Sequence, residues 1–251
     1  MTDFVVNPGN VSTYGALLLV YCRVQACFLT LPVFSERVLP ARVRIALAMA
    51  VTPLLAEHTL IPDGIRGILH LAALAGAEVL TGLILGGLVR MFATALDIMA
   101  TAMAASASLS QLVGAASEYS PHPIGNLLHL AGLALLMALG LPALACDSLR
   151  ESLVVRPVGE WPQITDILPG AIALVQQGFA LALLLAAPFI LGGFLFQALS
   201  GMVSKAMPAL PVVFIAAPGA IMLALLALAV MTPSILSVWA DAVLNMMGTL
   251  L

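Results

Sequence analysis

Long stretches of this chain carry almost no charge, and that feature removes most folds from consideration. They run Tyr14–Leu31, Val43–Ala56, Gly67–Val89, Met91–Val113, Leu127–Cys146, Ala171–Gly193 and Val212–Met231, and a weaker segment, Ile235–Leu251, follows. A spanning helix needs about 20 apolar residues. The third, fifth, sixth and seventh stretches reach that length, while the second falls short of it. The fourth is built from Ala, Ser, Thr and Met rather than Leu and Ile. That composition suits contact with another helix better than contact with lipid. Some of the stretches are therefore expected not to cross a bilayer in the ordinary way.

The surface must be apolar as well. Hydrophobic residues make up 62% of the 251 residues and charged ones 8%, against roughly 45–50% and 25% in ordinary globular domains. Too few polar side chains remain to clothe a water-facing surface, so the outside must meet lipid, other apolar subunits, or both. The fold expected is an all-α integral membrane protein of helical hairpins, with about six to eight long helices, several kinked. It is read as a single domain over 1–251, with a tail at 1–12, a loop at 106–126 and a polar connection at 147–170.

Proline punctuates this pattern. Pro32, Pro40, Pro53, Pro62, Pro121, Pro123, Pro157, Pro162, Pro169, Pro208 and Pro211 fall near proposed helix ends, whereas Pro142, Pro188 and Pro218 fall inside apolar stretches. There each removes a backbone donor and should kink its helix. Gly114–Asn126 is rich in Gly, Ser and Pro and reads as an ordered loop or a plug. The polar connection holds Asp147, Arg150, Glu151, Arg156, Glu160 and Asp166, with Leu149, Leu153 and Val154 placed to line one face of a short amphipathic helix. Arg37, Arg42 and Arg44 cluster after the first stretch, which points that loop to the cytoplasm. The N-terminus lacks the basic region of a signal peptide, so the first stretch is expected to be retained.

Ionisable residues inside apolar stretches are costly and each needs a reason. Arg23 sits in the first stretch, where a structural pair with a carboxylate on a neighbouring helix is favoured over contact with a partner. Glu78 is followed by Gly82 and Gly86, all on one helix face. The glycines admit a second backbone, as in small-xxx-small packing. Glu78 reads as an acceptor at a tight contact ahead of a proton-relay group. Arg90 and Asp97 share a face but stand roughly 10 Å apart in rise, too far for a simple pair.

Chemistry is hard to find. His70, His122 and His129 lack ligand spacing, and no GxGxxG, GxxxxGK[ST], GxSxG or HExxH pattern occurs. Cys22, Cys27 and Cys146 form an odd set without CxxC spacing. No cofactor, metal or catalytic residue is expected, and the net charge of −3 without like-charge blocks argues against nucleic acid. Met99 and Met103 lie in the small-residue stretch before the Gly114 loop. They read as core filling, ahead of a deformable seal.

Several segments resemble the FliR/SctT family, subunits of the type III protein-export gate. The segment from Arg23 through Pro32-Val-Phe-Ser-Glu36-Arg37-Val-Leu-Pro40-Ala-Arg42-Val-Arg44 looks like the family's first helix and basic turn. Glu78 to Gly86 looks like its third-helix packing face, and Ser148…Pro157-Val-Gly159 like the segment after the fifth stretch. Lys205-Ala-Met-Pro208-Ala-Leu-Pro211-Val-Val-Phe214…Pro218 is similar to the segment before the last long helix. Order, spacing and joint length carry the resemblance. The chain departs from it at Ser117-Glu118-Tyr119-Ser120, where the family often has an aromatic residue and an Asp.

The resemblance implies a flagellar export-gate subunit in the bacterial inner membrane and basal body. It implies FliP-type, FliQ-type and FlhB-type partners and unfolded export substrates. It also implies a pore plug from Ser106 to Pro123, with Ser106, Ser110, Gly114, Ser117, Glu118, Tyr119, Pro121 and Pro123 as gate residues. Arg23, Glu36, Arg37, Arg42, Arg44, Glu78, Gly82, Gly86, Lys205, Pro208 and Pro218 are the packing or interface candidates. A virulence-type secretion subunit of the same architecture is the neighbouring reading. A proton-coupled secondary transporter using Glu78 is the rival from another class.

Overall fold

The computed structural model describes residues 8–36, 39–56, 67–106, 123–207 and 212–249, and these are helices joined by turns with no strand among them. The described helices are α1 (Pro8–Thr30), α2 (Ala41–Ala56), α3 (Ile68–Ser106), α4 (Pro123–Ala138), α5 (Leu141–Val155), α6 (Ile164–Ala206) and α7 (Val212–Thr249). Three segments are long and apolar enough to cross a membrane: Ile68–Met103, Ile167–Ala206 and Pro218–Gly248. The α4–α5 pair makes a fourth if it is counted as one bent span.

The helices do not follow the apolar stretches one for one. The third and fourth stretches merge into α3, a helix of 39 residues. Arg90 interrupts the hydropathy there, but a charge does not break backbone hydrogen bonds, and α3 contains no proline. The seventh stretch and the closing segment likewise merge into α7, which runs through Pro218 and Pro233. Pro53, expected to mark an end, lies inside α2, and Pro169 lies near the start of α6.

The fifth stretch does the reverse. It is not one kinked helix but two, α4 and α5, bent by 65°. Gly140 takes φ 89° and ψ 24°, a left-handed conformation, and Pro142 sits in the first turn of α5. Glycine carries little penalty there. A first-turn proline gives up only an N–H that has no helical partner. Pro142 therefore opens a helix instead of kinking one. Within α5, Leu149 and Leu153 are buried, but Val154 is 76% exposed and does not share their face.

Two compact units make up the chain. In the unit holding residues 1–91, 137–175 and 243–251, the core gathers Leu19, Val20, Val24 and Phe28 from α1, Ala48 and Leu55 from α2, and Leu149 and Leu153 from α5. Phe28 stacks on Phe34, with ring centroids 4.8 Å apart. In the unit holding residues 92–136 and 176–242, Trp239 of α7 is 1% exposed. It donates its indole N–H to the Phe92 carbonyl oxygen at 3.1 Å. Gly132 of α4 makes room for it, since a Cβ there would lie 3.0 Å from the indole ring and 2.7 Å from Leu96 Cδ2.

Gly140→Ala should lower stability by about 1–2 kcal/mol through left-handed strain alone, because the space around a Cβ at that position is empty. A thermal unfolding midpoint in detergent equal to that of the wild type would contradict this.

Candidate functional site

Hydrocarbon-rich helices tolerate a charge only when its hydrogen bonds are met inside the protein. Arg23 of α1 and Glu78 of α3 are both fully buried. Arg23 Nε donates to Glu78 Oε2 at 2.6 Å and Nη2 to Glu78 Oε1 at 3.2 Å, the two-pronged geometry that suits guanidinium and carboxylate. Nη1 donates to the carbonyl oxygens of Ser152 at 2.9 Å and Arg156 at 3.1 Å. Nη2 also reaches the Arg156 carbonyl at 3.1 Å. Each guanidinium nitrogen is therefore engaged. Glu78 Oε1 accepts a further bond from the Gly159 N–H at 2.7 Å.

The glycines set this geometry. A Cβ on Gly82 would collide with the Arg23 carbonyl oxygen and lie 2.8 Å from Ala26 Cβ. One on Gly86 would collide with Thr30 Oγ1 and lie 2.5 Å from the Cys27 carbonyl oxygen. The contacts advance in step along both chains, from Arg23 with Glu78 to Thr30 with Gly86, so α1 and α3 run parallel at backbone contact. Arg90 continues the series, donating to Ser35 Oγ at 2.7 Å. Because α1 and α3 lie this close, one ion pair also reaches the C-terminal end of α5 and the turn after it. It ties together segments 55 to 133 residues apart in sequence.

The arrangement suits holding more than reacting. Both carboxylate oxygens of Glu78 are taken up by Arg23 and Gly159. That is the geometry of a fixed pair, not of a proton relay. Among the described residues no group of three or more His, Cys, Asp or Glu could hold a metal ion.

The structure brings Arg23, Glu78, Gly82 and Gly86 to one place. Glu36 and Arg44 meet at the α1–α2 turn, where Arg44 Nη2 donates to the Glu36 and Leu39 carbonyls at 3.0 and 3.1 Å. Arg42, Lys205 and Pro218 are exposed. Ser106 ends α3 and Pro123 begins α4. Arg37, Pro208, Ser110, Gly114, Ser117, Glu118, Tyr119 and Pro121 lie outside the described residues.

Sequence reasoning missed the carbonyls of Ser152 and Arg156 and the Gly159 N–H, because backbone groups leave no trace in side-chain spacing. It also missed His129 Nδ1 beside Asp97 Oδ1 at 2.8 Å. The available signal was that each is a lone polar group in an apolar stretch, and such groups tend to seek one another.

Arg23→Ala or Glu78→Ala should each cost about 3–5 kcal/mol, because either leaves an uncompensated buried charge. Arg23→Met with Glu78→Leu should recover most of that loss. Unfolding midpoints of the single and double variants measure this, and additive losses would refute the pairing.

Comparison with known proteins places the chain in a family. The family model for bacterial export proteins, family 1, matches residues 14–246. The flagellar biosynthetic protein FliR of Caulobacter vibrioides is 32% identical over 233 residues, covering 89% of this chain and 90% of the relative. A match of that length takes in both partners of the buried pair, both packing glycines and the basic turn. The chain belongs to the bacterial export proteins, family 1, the FliR/SctT family.

Proposed function

We propose that this chain is a subunit of the flagellar type III protein-export gate in the bacterial inner membrane. It forms part of the wall and seal of a conduit for unfolded polypeptide. The observation that carries the reading is the family match over residues 14–246, joined to a helical framework held by a saturated ion pair. The named relative is a flagellar protein of nearly equal length, which favours the flagellar branch over a virulence-type system.

In this role the α1–α3–α5 cage is a rigid mount. FliP-type and FliQ-type subunits would cover apolar helix faces, with an FlhB-type protein nearby. The segment from Ser106 to Pro123 would act as the plug, with Gly114 as its hinge. The exposed apolar side chains of α6 and α7, such as Phe194, Leu195, Met222 and Leu226, form faces larger than a monomer in water tolerates. They fit a chain that works among lipids and other subunits.

Tagged chain co-expressed with FliP-type and FliQ-type subunits should yield one defined hetero-oligomer in detergent, while the lone chain elutes polydisperse. A monodisperse lone chain that ignores those subunits would refute the assignment. Deleting Gly114 to Tyr119 should make the assembled gate leak ions, and an unchanged ion barrier would refute the plug.

A further inference from the structure

The α3–α4 hairpin carries a polar face of its own, within the unit of residues 92–136 and 176–242. On α3, Thr94, Asp97 and Thr101 follow one another at spacings of three and four, so they share one side of the helix. On α4, Asn126 and His129 are three apart and do the same. The two sides meet where His129 Nδ1 lies 2.8 Å from Asp97 Oδ1. Trp239 reaches both the Phe92 carbonyl and Gly132, so α4 advances as α3 recedes and the two helices are antiparallel. Thr101 and Asn126 therefore both stand about one turn beyond the Asp97–His129 pair, on the same side of it, and Thr94 stands about one turn to the other side.

This polar track is open. The Asp97 side chain keeps 44% of its surface accessible and that of His129 27%, while Thr101 and Asn126 are exposed. The opposite side of the same stretch of α3 is closed, with Phe92, Leu96, Met99 and Met103 buried. The Arg23–Glu78 pair is treated differently, since neither of its side chains keeps any exposure. An accessible carboxylate is costly against hydrocarbon. The large side chains that α6 and α7 expose in this unit suit lipid far better, among them Leu184, Leu191, Phe194 and Leu226 at 62–69%.

The chemistry of the track points to its occupant. A folded helix arrives with its backbone groups already paired, so only its side chains could answer these residues. An unfolded polypeptide brings an N–H and a carbonyl at every residue that need partners. Asp97 accepts and Asn126 both donates and accepts. Thr101 donates to the Ile98 carbonyl at 2.8 Å, and its oxygen can still accept. An extended chain repeats its groups every two residues, about 6.6 Å. The levels on α3 are roughly 4.5 and 6 Å apart, so no register satisfies all of them at once. Contacts of that kind hold a chain weakly and let it move on, as conduction requires.

We propose that Thr94, Asp97, Thr101, Asn126 and His129 form the face along which an unfolded polypeptide passes, hydrogen-bonding its backbone without regard to sequence. The inference rests on the export-gate reading and adds to it which side of which hairpin meets the substrate.

The test uses the assembled gate, with the full-length chain and its co-expressed subunits, holding an export substrate stalled by a fused domain that cannot unfold. A benzophenone side chain placed at Thr101 or Asn126 should photo-crosslink to the stalled polypeptide, and one placed at Leu184 or Phe194 should not. Thr101→Leu with Asn126→Leu should lower the export rate roughly five-fold for each position. Leu184→Ala should keep the rate. Crosslinks from Thr101 and Asn126 to another subunit alone would make the face a subunit contact and overturn the proposal. So would an unchanged export rate in an assembled double variant. A benzophenone carried on the substrate separates the two readings. Crosslinks to the assembly that avoid α3 and α4 would overturn this face alone, and no crosslink to the assembly would overturn the export-gate reading with it.

Discussion

A guanidinium group buried between apolar helices has no water to fall back on, and most of the described architecture around α1 can be traced to how Arg23 is satisfied. Its donors demand acceptors on two sides. Glu78 supplies two from α3, and the end of α5 supplies the carbonyls of Ser152 and Arg156. The charge thus also satisfies the carbonyl of Arg156, the residue that caps the C-terminal end of α5. The carboxylate in turn fixes Gly159 and the turn leading to α6. Glycine at Gly82 and Gly86 is what allows α1 to come near enough for this, so packing and electrostatics are here one constraint.

How much of this could be read in the sequence depended on where the information lay. The all-helical membrane class followed from the scarcity of charge. The face carrying Glu78, Gly82 and Gly86 was legible because helical spacing is written in side chains, and Arg23 advertised itself as a lone cation in an apolar stretch. The identity of Arg23's partner was not legible, because 55 residues, with the whole of α2, lie between them. Helix boundaries were read poorly for a specific reason. Hydropathy marks where side chains change character, whereas helices end where the backbone cannot continue. Arg90 changes the first and not the second. Gly140 changes the second, and the hydrophobic pattern around it gives no warning.

The two kinds of helix in the chain divide the labour. In the unit containing α1 and α2, buried side chains alternate with polar backbone capture, and α1, α2 and α5 are short helices set against the long α3. The long α6 turns much of its bulk outward, with Leu168, Leu184, Leu191, Phe194, Leu195 and Leu199 half or more exposed, as are Met222, Leu226 and Val230 of α7. Long helices with apolar surroundings on most sides gain their hydrogen bonds internally and need few tertiary contacts to remain helical. Specificity is therefore concentrated in the short-helix unit and in the Trp239 pocket.

The order of synthesis gives the Arg23 cage a further meaning. Arg23 leaves the ribosome 55 residues before Glu78 and 133 before Arg156. At roughly 5–20 residues per second, its last acceptors are made on the order of ten seconds after it. Until Glu78 is made the cation has no carboxylate partner, and until the end of α5 is made its Nη1 has no carbonyl acceptor; an incompletely paired guanidinium resists entry into hydrocarbon. The first helix should therefore linger at the aqueous edge or in a protein-lined passage of the insertion machinery. It can settle only once the end of α5 arrives, so that completion of a carbonyl pair late in the chain licenses the seating of its beginning.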